Sequence, residues 1–541
     1  MNEFSEISVA STSVADQLAR DLFSFGIRRA YGMPGGEVVA FIDALARAGI
    51  QFVLARNESA AAIMAAGEAQ MTGVPGLLVT TLGPGLANAV NGIADAVQER
   101  NPLIVVSGVV DSAQRGTYTH QIIDHAALLR PLVKASFEVS AQNAAVIVQR
   151  VVDLARQAPC GPVHLDLAPQ VALERSGARA SAPVRTVKAL SSFDADMQSL
   201  LQGRLQAAKG PIIIAGLEAA RAGLGEFLAP LNIPVITTYK AKGLIDEHSA
   251  FSLGAAGLSP LADRILLPLV KQSDLVLLIG YDPIEMRPGW LDPFRADQEV
   301  VELTGHVCDH AMHRANWRLL GNLHRLVEAL STRKPLENTW IGGEIAEAKE
   351  QLAKIFAVPL EWGPHAVFES LAQHFPDGGL LTVDSGAHRI LLSQMWRARH
   401  AFEMLQSSGW CTMGSALPLA IGAKMAQPAR KVVAVLGDGG LEMTLGELGT
   451  IRDQNLDIVV LVVQDKSLGL IELKQSQAGL ASNGVRLGAT RFDEVARAFG
   501  GHGVEVSSRA ELDLALAAAF AGRGLNLISA KVSATAYVGA F

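Results

Sequence analysis

Cysteine is scarce in this sequence: Cys160, Cys308 and Cys411 are the only three in 541 residues. They stand too far apart for a disulfide framework or a zinc knuckle. Charge is also thin, at 18% of residues with a net of −7. That excludes a solvating, disordered chain and gives no reason to expect a nucleic-acid or anionic-membrane partner. Long apolar runs are missing too. Although 49% of residues are hydrophobic, no run reaches the ~18–20 residues of a membrane span. The apolar excess suits large subunit interfaces instead. Met1–Ser8 is polar and acidic without signal or transit character, so a cytoplasmic enzyme is expected. The chain is too long for one core, and no short-period repeat or low-complexity tract organises it.

What is present is a succession of short β-branched runs, each bounded by Gly or Pro and followed by an amphipathic stretch. Leu77–Thr80, Leu103–Ser107, Val163–Leu167, Pro211–Ala215, Leu275–Ile279, Val432–Leu436 and Ile458–Val463 are examples. Continuous apolar runs of this length read as strands buried on both faces, and helices between them imply parallel sheets. Glu37–Gly49 has helical apolar spacing and ends on a glycine suited to C′; the Ala-rich Ala60–Met71 reads as a packed helix. Two aperiodic stretches, around Ser181–Ser192 and Glu337–Gly363, divide the chain into three blocks of doubly wound size. The expected fold class is α/β, with three doubly wound parallel-sheet domains.

The most informative stretch is residues 432–475. An apolar strand ends in Gly437-Asp438-Gly439-Gly440, a helix-like run covers Leu441–Asp453, and a second strand ends in Gln464-Asp465-Lys466-Ser467. Glycines after a strand admit a phosphate closely, and a helix start offers free N–H groups. Asp438 and Asp465, 27 positions apart, fall at the carboxyl ends of successive strands, where α/β proteins bind ligands. Two hard oxygen ligands beside a diphosphate describe a Mg²⁺ or Ca²⁺ site. The plainer alternative is a tight turn with Asp465 as a helix cap.

Further segments carry a resemblance. Gly437-Asp438-Gly439 through Gln464-Asp465, Tyr31–Gly36 (YGMPGG), Arg56-Asn57-Glu58, Thr81–Gly85 (TLGPG) with Asn88 and Asn91-Gly92, Cys160–Asp166 (CGPVHLD), and Gly409–Gly414 (GWCTMG) occur in order. Together they resemble the thiamine diphosphate (ThDP) enzymes, in particular the acetolactate synthase/pyruvate oxidase-like branch. The resemblance implies a pyrimidine-binding domain over 8–180, a central domain over 190–335 and a diphosphate-binding domain over 360–535. It also implies a homodimer or dimer of dimers, with the cofactor between the first domain of one subunit and the third of its partner.

The resemblance further implies roles. Glu58 is the acid that activates the aminopyrimidine, although by itself it could equally be a surface Glu in a first helical turn. Gly35, Gly83 and Asn88 match cofactor-binding positions of the first domain. Gly409, Trp410, Cys411, Thr412 and Met413 form the aminopyrimidine loop, Met413 keeping the cofactor bent. Gly437, Asp438, Gly439, Gly440, Asp465, Leu468, Gly469 and Leu470 surround the diphosphate. Asp438, Asp465 and the Ser467 carbonyl ligate Mg²⁺, with Asp465 replacing the usual Asn and Lys466 partly screening its charge.

Catalytic expectations fall on Glu58, Gln121, His120, His388 and Lys474. Gln121 and the Arg130–Lys134 segment (RPLVK) align with acetolactate synthases and favour carboligation of a 2-oxo acid. His120 and Lys474 depart from them, standing for the usual Phe and Trp; Lys474 either favours an acidic substrate tail or points into solvent. His388, also counted with the cofactor-binding residues, matches a position near the substrate mouth and reads as a proton relay or as a satisfied hydrogen-bonding histidine. The FAD fingerprint of some relatives is replaced by Gly280–Arg287 (GYDPIEMR), so ThDP and Mg²⁺ are expected and FAD is not favoured. The alternatives are a decarboxylase or C–C hydrolase without carboligation, and a non-catalytic relative.

Overall fold

The computed structural model describes residues 12–114, 116–177, 195–307, 310–330, 336 and 339–541. Met1–Ser8, the stretch Ser181–Ser192 and Cys308 lie outside the described residues. The chain forms two compact units, residues 1–187 and 188–541.

The first unit is built on one six-stranded sheet. Its strands are β1 (Arg29–Met33), β2 (Gln51–Leu54), β3 (Gly76–Thr80), β4 (Leu103–Gly108), β5 (Ser136–Glu138) and β6 (Pro162–Leu167), in the order β2-β1-β3-β4-β6-β5. All pairings are parallel. The central strands β3 and β4 are buried along their whole length, which is why they read as unbroken apolar runs rather than as alternation. The Ala-rich segment is the helix Glu58–Thr72, capped by the Asn57 side chain, which accepts from Ser59 N–H at 2.9 Å. Its alanines are buried on every side because it packs between the sheet and the helix Pro84–Gln98. Gly92 lets the two helices approach: a Cβ there would stand 2.4 Å from the Ser59 carbonyl oxygen.

The second unit holds two more parallel sheets. One comprises β7 (Pro211–Ala215), β8 (Val235–Thr237), β9 (Ser252–Ala255), β10 (Leu275–Ile279), β11 (Glu299–Thr304) and β12 (Trp317–Leu320), ordered β12-β11-β10-β7-β8-β9. This is the strand order of dinucleotide-binding α/β domains. The other comprises β13 (Leu380–Val383), β14 (Met404–Gln406), β15 (Val432–Gly437), β16 (Ile458–Gln464), β17 (His502–Val506) and β18 (Leu525–Lys531), ordered β14-β13-β15-β16-β18-β17. It repeats the order of the first unit's sheet. Three parallel sheets with flanking helices are the expected α/β architecture. Within this unit one apolar core runs across both sheets, from Ile212 and Val276 to Val433 and Leu461. Polar contacts cross as well: Gln394 donates to the Ala255 carbonyl at 3.1 Å.

One local expectation is corrected. The run Leu441–Asp453 is not one helix but two, Asp438–Thr444 and Glu447–Asp453. The first begins at Asp438 itself, so the glycines occupy a helical first turn. Gly440 is demanded by packing: a Cβ there would lie 1.9 Å from Asp384 Oδ2.

Candidate cofactor and metal site

In the third sheet β15 and β16 are neighbours, with Gly437 paired to Val463. Asp438 and Asp465 therefore emerge at the same carboxyl edge. Asp438 Oδ1 accepts the Gly439 N–H at 2.9 Å and Oδ2 accepts the Lys466 N–H at 2.6 Å. Asp465 Oδ1 accepts the Ser467 N–H at 2.9 Å. Burial raises the Asp438 carboxyl above its ordinary value. Burial, and then the charge of Asp438, push Asp465 up to about 7. Lys466 reaches Asp438 through its backbone N–H, and its side chain is exposed. A buried Asp465 whose carboxyl is held up by the charge of Asp438 makes, with it, a donor set suited to a hard divalent cation. Ser467 is buried, and its hydroxyl donates to Glu472 at 2.6 Å.

These groups open on a cavity of about 640 Å³. Gly437, Gly439, Gly440, Leu468, Gly469, Leu470, Cys411, Met413, His388 and Lys474 line it together with Asp438, Asp465 and Ser467. Gly409, Trp410 and Thr412 belong to the Met413 loop without lining the cavity. Trp410 is 43% exposed. Cys411 has φ +60°, and its Sγ receives Arg389 Nη2 at 3.3 Å. His388 is buried beneath Gly437, and burial, with Arg389 beside it, lowers its imidazole to about 3. It hydrogen-bonds to the Asp384 backbone, and its Nε2 has no hydrogen-bond partner. Lys474 is exposed at the cavity wall.

Asp384, at the end of β13, was missed by the sequence reading. It accepts from Ser415 N–H at 2.8 Å, Gly414 N–H at 2.9 Å, the Ser415 hydroxyl at 3.2 Å and Ala416 N–H at 3.4 Å. These bonds anchor the loop that carries Met413. Burial still pushes its carboxyl up to about 6. A signal was available: an Asp ending an apolar strand just before Gly386, the same placement as Asp438. Arg389 and Tyr537 were also missed. The Tyr537 ring lies 3.7 Å from a Cβ built on Gly469, and burial with the charges of Asp465 and Asp438 raises its phenol.

In the first unit Glu58 is 4% exposed, at the first turn of its helix. Asn88 Nδ2 donates to its Oε2 at 3.3 Å, so a buried carboxylate has a specific partner. Gly35 abuts Thr81, where a Cβ would stand 2.1 Å from Oγ1. Gly83, at φ +52°, sits against Gln121, whose carbonyl oxygen would lie 2.3 Å from a Cβ there. Gln121 itself has φ +57° and is exposed. His120 is exposed and edge-on to Tyr118 at 6.2 Å. Lys134 donates to the Gln157 and Pro159 carbonyls at 2.5 and 3.2 Å. His125 accepts the Gly83 N–H at 3.2 Å and pairs with Asp166 at 2.7 Å; that relay was not foreseen.

Three parallel sheets, two of the same strand order, and a carboxylate pair at a strand edge beside a deep cavity define a cofactor-binding α/β protein. Comparison with known proteins gives the family. Residues 12–128 match the thiamine pyrophosphate enzyme N-terminal TPP binding domain, 200–330 its central domain and 384–530 its C-terminal TPP binding domain. The chain is 29% identical to "Acetolactate synthase" of Bacillus subtilis (strain 168), over 93% of this chain and 90% of that protein. It is 28% identical to "Acetolactate synthase, catabolic" of Raoultella terrigena, over 93% and 92%. It is also 28% identical to the "Acetolactate synthase isozyme 2 large subunit" of Escherichia coli (strain K12), over 91% and 90%. The chain belongs to the thiamine pyrophosphate enzymes, in their acetolactate synthase-like branch. Among the described residues no helix is long and apolar enough to cross a membrane.

Proposed function

We propose that this enzyme is a Mg²⁺-dependent lyase/carboligase that decarboxylates a 2-oxo acid and transfers the remaining acyl unit to an acceptor. The observation that carries the proposal is the Asp438–Asp465 pair at the edge of the cavity that Met413 enters. Bound there, thiamine diphosphate supplies the carbon that adds to the substrate carbonyl and the electron sink for decarboxylation. Asp438, Asp465 and the Ser467 carbonyl would hold Mg²⁺, and Gly437, Gly439, Gly440, Leu468, Gly469 and Leu470 would line the diphosphate side of the cavity. Met413, on the loop Gly409–Gly414, supports the space between the two rings. Gly35, Gly83 and Asn88 contribute the pyrimidine side.

Glu58 holds a proton at N1′ of the aminopyrimidine, and Asn88 keeps its carboxyl in place. In this reading the working unit is a homodimer or a dimer of dimers. In it the 8–180 domain of one copy faces the 360–535 domain of another, and the 190–335 domain lies between them in sequence. Gln121 and His120 belong to the acceptor side. His388 offers its bare Nε2 as a proton relay at the cavity. Lys474, with Arg287 and Arg389 also lining the cavity, favours a substrate bearing a second anionic group. FAD is not part of the proposed chemistry, and a cytoplasmic location accords with it.

Product analysis tests the proposal. With pyruvate, Mg²⁺ and ThDP, acetolactate and acetoin are expected; free acetaldehyde alone would establish simple decarboxylation instead.

A further inference from the structure

Among the described residues, two groups of His and acidic side chains bring three possible ligand atoms within 4.8 Å of one another. The first, His125, His164 and Asp166, is largely committed to hydrogen bonds. His125 uses both ring nitrogens, on Gly83 and Asp166, and His164 Nδ1 is bonded to the Ser136 hydroxyl at 2.7 Å. The second group, Glu302, His310 and His313, is built differently.

Glu302 lies on β11 with a fully buried side chain. One oxygen, Oε2, accepts from Arg318 Nε at 2.7 Å, Arg318 being its register partner on β12. The other, Oε1, is buried with no hydrogen-bond partner. His310 and His313 sit on the connection from β11 to β12. Both ring nitrogens of His313 are buried without a hydrogen-bond partner, and Nε2 stands 3.8 Å from Glu302 Oε2, too long for a hydrogen bond. His310 Nε2 is also buried and without one. The imidazole centroids lie 4.6 Å apart with the rings tilted by 52°, and Tyr281 and Phe294 close on His313 at 5.4 and 6.1 Å.

Three polar atoms without a contact, Glu302 Oε1, His310 Nε2 and His313 Nδ1, beside a His313 Nε2 held only by its 3.8 Å approach to Glu302 Oε2, are rare together in a native interior, where an unmade hydrogen bond costs its full desolvation. Here they belong to three side chains of metal-ligating type, converging from a strand and the loop that follows it. We infer that Glu302, His310 and His313 form a binding site for one borderline divalent cation of the Zn²⁺ class, separate from the ThDP–Mg²⁺ chemistry.

Two imidazoles and one carboxylate are a zinc-type donor set, and nitrogen ligands disfavour Mg²⁺ and Ca²⁺. Bonds of 2.0–2.1 Å at tetrahedral angles place ligand atoms about 3.3 Å apart, so the side chains must close in slightly from their present separation. Arg318 already fixes Glu302 from behind, as outer partners of metal ligands do. His310 Nδ1 accepts the Met312 N–H at 3.2 Å. Ligation through Nε2 moves the ring proton to Nδ1 and releases that contact. The ion would clasp the β11–β12 connection to the sheet. Cys308 lies outside the described residues, so the ligand set rests on these three side chains alone.

The test is Zn²⁺ titration of the full-length protein in excess Mg²⁺ and ThDP, with a chromophoric chelator as competitor. One Zn²⁺ per chain is expected. His310→Gln and His313→Ala each weaken binding at least ~10-fold, while Asp438→Asn leaves it unchanged. Co²⁺ in place of Zn²⁺ gives a ligand-field band that His310→Gln abolishes. Should His313→Ala not fold, the half-buried His310→Gln carries the comparison. Absence of stoichiometric Zn²⁺ on the unaltered chain, or binding indifferent to His310→Gln, overturns the inference.

Discussion

The carboxylate of Asp384 accepts the backbone N–H of Ser415 at 2.8 Å and that of Gly414 at 2.9 Å. A buried acid at the end of one strand thus fixes the loop that carries Met413 into the cavity, 30 residues further along the chain. Gly440 packs against the same carboxylate and leaves no room for a side chain.

Gly440→Ala is therefore expected to displace Asp384 and loosen the Met413 loop. Overpacking of this kind costs about 1–3 kcal/mol. A lowered urea midpoint, with weaker ThDP binding in fluorescence titration, checks it; an unchanged midpoint contradicts it.

Glu58→Gln preserves size and the contact with Asn88 but removes the acid. Turnover of a 2-oxo acid should fall by ~10²–10⁴, while ThDP affinity changes only a few-fold. Steady-state kinetics at saturating ThDP separates the two; full activity in the variant would remove Glu58 from the mechanism.

Lys474→Met tests the anionic wall. The ratio of kcat/KM for a dicarboxylic 2-oxo acid to that for pyruvate should drop about fivefold, the reach of a single exposed ion pair. The effect should shrink at high salt. An unchanged ratio would place Lys474 outside substrate recognition.

Asp465 makes the metal-free chain sensitive to pH. Its folded carboxyl titrates at about 7, well above the usual ~4. Between those values the folded state keeps a proton that the unfolded state has released, so this group's contribution to stability is present below about pH 4 and lost as pH rises through 7. In chelator at pH 8, Asp465→Asn should melt higher than the parent chain; near pH 4 the two should coincide. Mg²⁺ with ThDP should remove or reverse the gap at pH 8. A gap that is independent of pH would show that the two carboxylates do not share this burden.

Local physics was readable along the chain. Apolar β-branched runs between glycines and prolines marked strands such as β4, β10 and β16, because a strand buried on both faces must be apolar throughout. The same logic placed Asp438 and Asp465 at strand ends, and the parallel pairing of β15 with β16 brings them together. Tertiary structure alone decided which distant groups meet in the interior. Asp384 finds Gly414 and Ser415, His125 finds Gly83, and Glu302 lies among His310 and His313. The single helix expected over Leu441–Asp453 breaks near Gly446. Such contacts depend on burying a polar group where a partner, or a missing one, is set by packing between elements remote in sequence. No window of neighbouring residues contains that information.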